Sequence, residues 1–150
     1  MKQSKAIVFD IDGVLAAFEI SFCEKFGYLN RDYTNLAERY PEQYDLVAEF
    51  IESHHTYEDL EPIFGGFVLL GTAKEKGYKI ILMTSRTFGT KEVTAQWLQR
   101  YSVAYDELFY TKNKAKAIRI MNERGNPKIV SLIDDLPVNF EGLPKGVTGI

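Results

Sequence analysis

Polar side chains follow three apolar runs of this sequence, at the point where each run ends. These side chains are Asp10 with Asp12, Thr84 with Ser85 and Arg86, and Asp134 with Asp135. If the runs are parallel strands, the polar groups meet at one sheet edge, where open α/β sheets bind ligands. Four carboxylates there would repel one another, so they require a cation, and their hard oxygen atoms favour Mg²⁺. Such a cation would also neutralise a phosphate that approaches an anionic nucleophile, so these residues indicate metal-dependent phosphate chemistry.

Each motif also has a structural interpretation. An Asp-Gly pair after a strand is a common turn. Thr84-Ser85-Arg86 can cap the next helix, and Asp134-Asp135 before Leu-Pro can be a solvated loop. Chance explains one of these motifs easily, whereas their joint occurrence at the ends of buried strands favours the catalytic interpretation.

The apolar patterns predict an α/β domain with a mostly parallel sheet. Strands are predicted at Lys5–Phe9, Lys79–Met83, Asp106–Tyr110, Ile129–Ile133 and Val147–Ile150. Helices are predicted at Val14–Gly27, Leu36–Ser53 with an interruption at Pro41, Phe67–Lys76, Thr90–Arg100 and Lys114–Arg124. A polar connection at Asn30–Asn35 and a turn at Leu60–Gly66 separate them. Because residues 16–62 contain only helices, they are predicted to form a small helical cap, inserted between two parts of the core at 1–15 and 63–150.

Composition narrows the function classes. The chain has 150 residues and a net charge of −3, so its overall charge does not attract it to a nucleic-acid backbone. Its single cysteine excludes an internal disulfide and fits a reducing compartment. The sequence shows neither a signal peptide nor a membrane-length apolar run, so we expect a soluble, cytoplasmic protein. Whether the native chain continues past Ile150 and how it oligomerises stay open.

Asp10-Ile-Asp12-Gly13-Val-Leu resembles the DxDGxx signature of the haloacid dehalogenase (HAD) superfamily of phosphatases. Further motifs of that family follow in order: an apolar strand that ends at Thr84, a lysine within Thr111–Lys114, and the paired acids Asp134 and Asp135. The resemblance covers residues 4–15 and 62–140. It implies a HAD-like, Rossmann-like three-layer sandwich with a cap inserted after the first strand.

The resemblance also implies roles for the acidic residues. Asp10 would attack phosphorus and form an aspartyl-phosphate. Asp12 would protonate the leaving oxygen and later deprotonate the attacking water. Mg²⁺ would be bound by Asp10, the backbone carbonyl of Asp12 and the acidic pair, with Asp135 binding directly and Asp134 giving a supporting hydrogen bond.

The remaining motif residues would bind the phosphate. Thr84 and the N–H group of Ser85 would donate to its oxygens, and Gly13 would permit the tight turn that turns backbone N–H groups towards it. A lysine would neutralise the nucleophile and the transferred group. Lys114 is preferred over Lys112 because it opens a helix in the family pattern.

The substrate is less constrained. Asp12–Phe18, Leu60–Gly66, Met83–Ser85 and Thr111–Lys114 are similar to the corresponding segments of 5′(3′)-deoxyribonucleotidases. In that family an aromatic residue at the position of Phe18 stacks on the base, although Phe18 also lies on the apolar stripe of its helix. Ala17 departs from that family, in which Asp is common at this position.

Arg86 is a second departure, because proline often follows Thr-Ser in those nucleotidases. Thr84-Ser85-Arg86 is similar to the Ser/Thr-Gly-Arg of polynucleotide kinase 3′-phosphatase domains, where the arginine helps to bind phosphate. Arg86 could therefore pair with phosphate or bridge a nearby carboxylate.

The expected function is an Mg²⁺-dependent phosphomonoester hydrolase that acts on a nucleotide or another small phosphomonoester. The alternatives are a 3′-phosphatase acting on nucleic-acid ends and a catalytically idle binding module on the same fold. Retention of all the acidic motifs favours the enzyme.

Overall fold

The structure is a computed structural model, and it describes residues 2–26 and 44–150. Its strands are β1 (Lys5–Phe9), β2 (Lys79–Thr84), β3 (Glu107–Tyr110), β4 (Lys128–Ile133) and β5 (Thr148–Gly149). They form one sheet in the order β3-β2-β1-β4-β5, and every neighbouring pair is parallel. All carboxyl ends of the strands therefore lie at one edge of the sheet, named the catalytic edge after the catalytic residues predicted there.

The described helices are α1 (Phe18–Phe26), α2 (Tyr44–Glu52), α3 (His54–Glu58), α4 (Phe64–Glu75), α5 (Lys91–Arg100) and α6 (Lys114–Arg124). Single 3₁₀ turns occur at Phe88–Thr90 and Pro137–Phe140. The predicted α/β fold with a parallel sheet is confirmed. The predicted connection at Asn30–Asn35, the helix end at Gly27 and the interruption at Pro41 lie outside the described residues. None of the helices within the described ranges is long and apolar enough to cross a membrane.

The sheet has a hydrophobic core on each face because successive strand side chains point in opposite directions. On one face Phe9 and Leu82 pack with α4 and α5, whose main core residue is Trp97. On the other face Val8 and Met83 pack with Ile118 and its neighbours from α6. This three-layer arrangement holds the strand ends, and hence the polar residues that follow them, in fixed positions.

Helix α1 begins later than predicted. Residues 14–17 form a tight loop instead of a first helical turn, because the N–H groups of Val14, Leu15 and Ala16 all donate to the Ile11 carbonyl, at 3.3, 2.8 and 2.9 Å. The apolar side chains of this loop are buried, which is why they extended the helical pattern on paper.

Helix α4 begins earlier than predicted, at Phe64 instead of Phe67. The glycine pair that indicated a turn lies inside the helix, and Gly66 touches the loop that follows β1. A Cβ atom on Gly66 would lie 1.9 Å from the Val14 carbonyl oxygen, so only glycine fits at this contact.

The two ends of the segment 16–62 lie side by side. Ala16 and Pro62 form an antiparallel bridge. Beside them the Ala17 N–H donates to the Glu61 carbonyl at 2.8 Å, and the Ile63 N–H donates to the Leu15 carbonyl at 2.7 Å. The division into a core of 1–15 and 63–150 and a cap of 16–62 stays a prediction.

Candidate active site

Three carboxyl groups converge at the catalytic edge. Asp10 follows β1 directly, and Asp134 and Asp135 follow the neighbouring strand β4. One oxygen of each lies within 4.8 Å of the others, and these three residues are the carboxylate cluster. Asp10 and Asp134 are buried and Asp135 is partly exposed. The expected convergence of the strand ends therefore occurs in the structure.

Lys114 links two members of this cluster. Its Nζ lies 2.9 Å from Asp10 Oδ2 and 2.5 Å from Asp134 Oδ2, and the side chain is almost fully buried. It occupies the first position of α6, where the Asn113 side chain accepts the Lys116 N–H at 3.0 Å and caps the helix. Lys112 is exposed. Of the two candidate lysines, the structure brings Lys114 to the carboxylates.

The two members of the acidic pair have different surroundings. Asp134 accepts hydrogen bonds from the Leu136 N–H at 2.9 Å and from the Asn139 amide at 3.0 Å on each oxygen, besides its contact with Lys114. Asp135 instead lies against Gly13, where a Cβ would come within 2.1 Å of its Oδ2. Gly13 also has a φ of +82°, so two separate constraints exclude a side chain there.

Burial dominates the ionisation of the cluster. It raises the pKa of Asp10 to about 8, with Asp134 and Asp12 adding to the rise and Lys114 opposing it. Burial also raises the pKa of Asp135 to about 7, assisted by the charge of Asp134. Burial alone would lower the pKa of Lys114, but its two carboxylate partners outweigh that effect and raise it. Lys114 is shared between two acids, so it cannot neutralise either completely.

Asp12 does not belong to the carboxylate cluster and pairs with Arg86 instead. Arg86 Nε donates to Asp12 Oδ2 at 2.8 Å and Nη2 donates to Oδ1 at 2.6 Å, a bidentate pair. Nη1 of the buried arginine donates to Thr94 Oγ1 at 3.0 Å, and the Tyr57 ring lies 4.2 Å from its central carbon. Of the two roles expected for Arg86, the structure shows the bridge to a carboxylate.

The predicted phosphate-binding residues also lie at the catalytic edge. Thr84 ends β2 and is fully buried, and its Oγ1 accepts the Arg86 N–H at 3.2 Å. Ser85 follows it and is exposed. The Gly13 N–H donates to the Ala16 carbonyl at 2.8 Å, so in this structure that donor closes its own loop.

Phe18 lies in a cluster of aromatic rings. Its ring stacks on Tyr57 with centroids 5.8 Å apart and planes 21° apart, and it is tilted against Phe50 at 5.3 Å. It is partly buried. Phe18 therefore packs within the segment 16–62 and reaches the site through Tyr57.

Sequence analysis did not identify three of the residues that support the site: Asn139, Thr94 and Tyr57. Thr94 gave a usable signal, because it is a polar residue on the otherwise apolar buried face of α5 with Val93, Trp97 and Leu98. Tyr57 gave none, since its partner Arg86 is distant in the sequence, and Asn139 gave none because its five-residue separation from Asp134 matches no regular helix or strand spacing.

The charges of the site leave room for one divalent cation. Arg86 neutralises Asp12, and Lys114 neutralises one charge of the carboxylate cluster. Two negative charges remain when all four acids are ionised. Oxygen ligands at this spacing fit a hard cation of the Mg²⁺ class. Burial is the main cause of the raised pKa values of Asp10 and Asp135, and repulsion by neighbouring carboxylates, which such a cation would relieve, adds to it.

No family model and no curated protein matches the sequence. Among solved structures, the chain is similar to a haloacid dehalogenase-like hydrolase from Streptococcus pneumoniae, with a TM-score of 0.63 and 15% identity over 99% of this chain and 84% of that one. It is also similar to the class C acid phosphatase from Bacillus anthracis, with a TM-score of 0.60 and 20% identity over 95% of this chain and 56% of that one.

A chain of the Pnkp1/Rnl/Hen1 complex matches with a TM-score of 0.62 and 20% identity over all of this chain. The present chain spans 46% of that larger chain, less than half of its length. At these identities the likeness establishes the fold, which is that of the HAD-like Rossmann-type hydrolases.

Proposed function

We propose that this chain is a metal-dependent phosphomonoester hydrolase that works through an aspartyl-phosphate. The single observation that supports this best is the grouping of Asp10, Asp134, Asp135 and Lys114 at the catalytic edge, with Asp12 next to them on its own arginine. The HAD-like fold agrees with it, because hydrolases and phosphatases share this fold.

Asp10 is the proposed nucleophile. One of its carboxylate oxygens attacks phosphorus, and the bond between phosphorus and the ester oxygen breaks, so that the phosphoryl group becomes attached to Asp10. Lys114 lies 2.9 Å from Asp10 Oδ2, where its charge favours the ionised form of the nucleophile and offsets the charge of the arriving phosphate. Thr84 and Ser85 are the proposed donors to the phosphate oxygens.

Asp12 is the proposed acid and base. In its protonated form it gives a proton to the departing ester oxygen. As a carboxylate it then takes a proton from water, which attacks phosphorus and releases inorganic phosphate and the Asp10 carboxylate. Arg86 donates to both Asp12 oxygens and so holds the carboxyl group in position for these steps.

Asp10, Asp135 and the Asp12 carbonyl would hold Mg²⁺, with Asp134 in support because its oxygens already accept from Lys114, Asn139 and the Leu136 N–H. When bound, the cation would supply charge neutralisation for the phosphate.

The leaving group that we propose is a nucleoside. Phe88 supports this choice, because it is 64% exposed at the catalytic edge. Its ring packs edge-on against Tyr110 at 5.5 Å, and the Lys91 ammonium lies 4.9 Å above it. Tyr110 pairs in register with Thr84, so this exposed ring lies one strand away from the proposed phosphate site. An exposed aromatic face in that place can stack on a base.

A second candidate is a 3′-phosphatase that acts on nucleic-acid ends. One solved structure of the Pnkp1/Rnl/Hen1 complex is described as an RNA repair complex, and it shares this fold over 100% of the present chain. Exposed Lys91 and Lys112 would provide contacts to a backbone phosphate at the same edge.

The test is hydrolysis of a panel of phosphate esters with Mg²⁺, compared by kcat/KM. The panel contains p-nitrophenyl phosphate, 5′- and 3′-deoxynucleotides, a sugar phosphate and 3′-phosphorylated DNA and RNA. Asp10→Asn should abolish turnover of all of them. If the wild type turns over no ester, the proposal is wrong and a binding module on this fold is favoured instead. Preference for the polymer ends would establish the second candidate.

Phe88→Ala tests the nucleoside. We expect kcat/KM for nucleotides to fall by about 10-fold, since stacking of a base on an aromatic ring contributes ~1–3 kcal/mol, while the sugar phosphate is unaffected. Tyr105→Ala is the matched control, because Tyr105 is a 38% exposed aromatic residue that precedes β3, at the opposite edge of the sheet. Equal losses on both substrate types would exclude stacking.

A further inference from the structure

Tyr57 comes from the segment 16–62, yet it is buried beside the proposed acid–base group. Its ring centroid lies 4.2 Å from the central carbon of Arg86, and Arg86 in turn binds Asp12. We propose that Tyr57 is a positioning residue for Asp12 and acts through Arg86. This inference rests on the proposed hydrolase function and assigns part of its acid–base step to the inserted segment.

Three hydrogen bonds hold the guanidinium group of Arg86. A guanidinium is planar, and all of its N–H groups lie in that plane. Nε and Nη2 point to the two oxygens of Asp12, and Nη1 points to Thr94. These three bonds fix the position and rotation of the group within its plane, but they resist tilting of the plane only weakly.

The central carbon of Arg86 also lies over the face of the Tyr57 ring, 4.2 Å from the ring centroid and within cation–π distance. Arg86 is 4% exposed and Tyr57 is 2% exposed, so the contact is desolvated. Tyr57 therefore supplies the restraint against tilting that the in-plane hydrogen bonds lack.

Tyr57 is itself supported by another aromatic ring of the segment. Phe18 stacks on it with centroids 5.8 Å apart, and Phe18 also packs on Phe50. A chain of ring contacts thus runs from Phe50 through Phe18 and Tyr57 to Arg86, and Arg86 binds the Asp12 carboxylate. Loss of the Tyr57 ring should let Arg86 tilt and Asp12 move with it, without removing either charge.

A misplaced general acid has a recognisable kinetic effect. A poor leaving group needs a proton as its bond to phosphorus breaks, whereas a good leaving group departs without one. Positioning of Asp12 is therefore expected to matter for phenyl phosphate and to matter little for p-nitrophenyl phosphate. The two esters have nearly the same shape, so binding differences between them are small.

The experiment measures kcat/KM for both esters with Mg²⁺, because this constant reports the step in which the leaving group departs. The variants are Tyr57→Leu, which removes the ring, and Tyr57→Phe, which keeps it. Phe67→Leu is the matched control, since Phe67 is a partly buried aromatic residue of α4 whose described ring contacts are to Trp97 and Tyr101, outside the chain of rings that ends at Arg86. Thermal unfolding of each variant shows how much stability each one has lost.

Tyr57→Leu should lower kcat/KM for phenyl phosphate by about 10- to 100-fold, part of the roughly 100- to 10,000-fold that general acid–base catalysis contributes. It should lower the value for p-nitrophenyl phosphate by about 3-fold or less, and Tyr57→Phe should restore the wild-type ratio. Equal losses on the two esters, or a Phe67→Leu variant with the same selectivity, would show a structural role and overturn the inference. A wild type that hydrolyses neither ester would refute the proposed function, and the inference with it.

Discussion

Replacing Asp10 by asparagine should stabilise the metal-free protein while it destroys turnover. Burial raises the pKa of Asp10 to about 8, so the folded chain resists ionisation of this carboxyl, whereas the unfolded chain ionises it near its ordinary pKa of 3.8. A carboxyl whose folded pKa is raised contributes stability at low pH, and that contribution is lost as the pH rises from about 4 to above 8. Asparagine cannot ionise, so it removes this loss.

The size of the effect follows from the same shift. One pKa unit corresponds to about 1.4 kcal/mol, so a rise of this extent gives a maximum of about 6 kcal/mol above pH 8. Asparagine also leaves Lys114 with one carboxylate partner instead of two, which offsets part of the gain. We therefore expect a net gain of about 2 kcal/mol, or roughly 4–8 °C in Tm for a chain of this length.

The assay is thermal unfolding of the wild type and Asp10→Asn between pH 5 and pH 9, in EDTA and in MgCl₂. In EDTA the difference in Tm should grow with pH, and Mg²⁺ should raise the Tm of the wild type far more than that of the variant. Glu75→Gln, at an exposed residue of α4, is the control for loss of a surface carboxylate. An Asp10→Asn variant that is less stable than the wild type at every pH, or a difference that does not vary with pH, would refute the reasoning.

Three further predictions follow from the site and its supports. Lys114→Gln should lower kcat for p-nitrophenyl phosphate by at least about 100-fold, because it leaves two buried carboxylates without their cationic partner. Lys112→Gln should change kcat by less than about 2-fold. Similar losses in the two variants would show that Lys114 takes no part in the mechanism. Asp135→Asn should raise the Mg²⁺ concentration needed for half-maximal activity by 10-fold or more, and an unchanged requirement would exclude it as a ligand. Gly66→Ala should destabilise the fold by about 2 kcal/mol in urea unfolding, because its Cβ would meet the Val14 carbonyl. Gly71 has open space around it, so Gly71→Ala should be neutral or stabilising by up to ~1 kcal/mol. Equal effects of the two substitutions would contradict the close contact between Gly66 and Val14.

The sequence predicted the parts of this molecule that depend on local patterns. The strands β1, β2 and β4 are short apolar runs flanked by polar residues, and each was predicted to within one residue of its observed bounds. Helix α6 was predicted with its observed ends; in the structure Asn113 caps its first turn, and Gly125, with a φ of +83°, follows its last residue. Parallel pairing of these strands was enough to predict that Asp10, Asp134 and Asp135 would converge.

Contacts between distant segments could not be predicted. A glycine pair looks like a turn on paper, and only the approach of the Val14 carbonyl reveals why Gly66 belongs inside a helix. The choice of Arg86 between phosphate and carboxylate likewise depended on where the Asp12 side chain points. The amide of Asn139 reaches Asp134 from a 3₁₀ turn whose direction no sequence pattern shows.

The side-by-side crossings at Ala16 and Pro62 bear on how this architecture tolerates change. Backbone hydrogen bonds already join the two ends of the segment, so its length enters the folding free energy only through loop closure. Doubling the number of residues between such ends costs only about 0.6 kcal/mol. Insertions and deletions between these crossings are therefore expected to cost the sheet little, provided that they leave the buried rings of the segment in place.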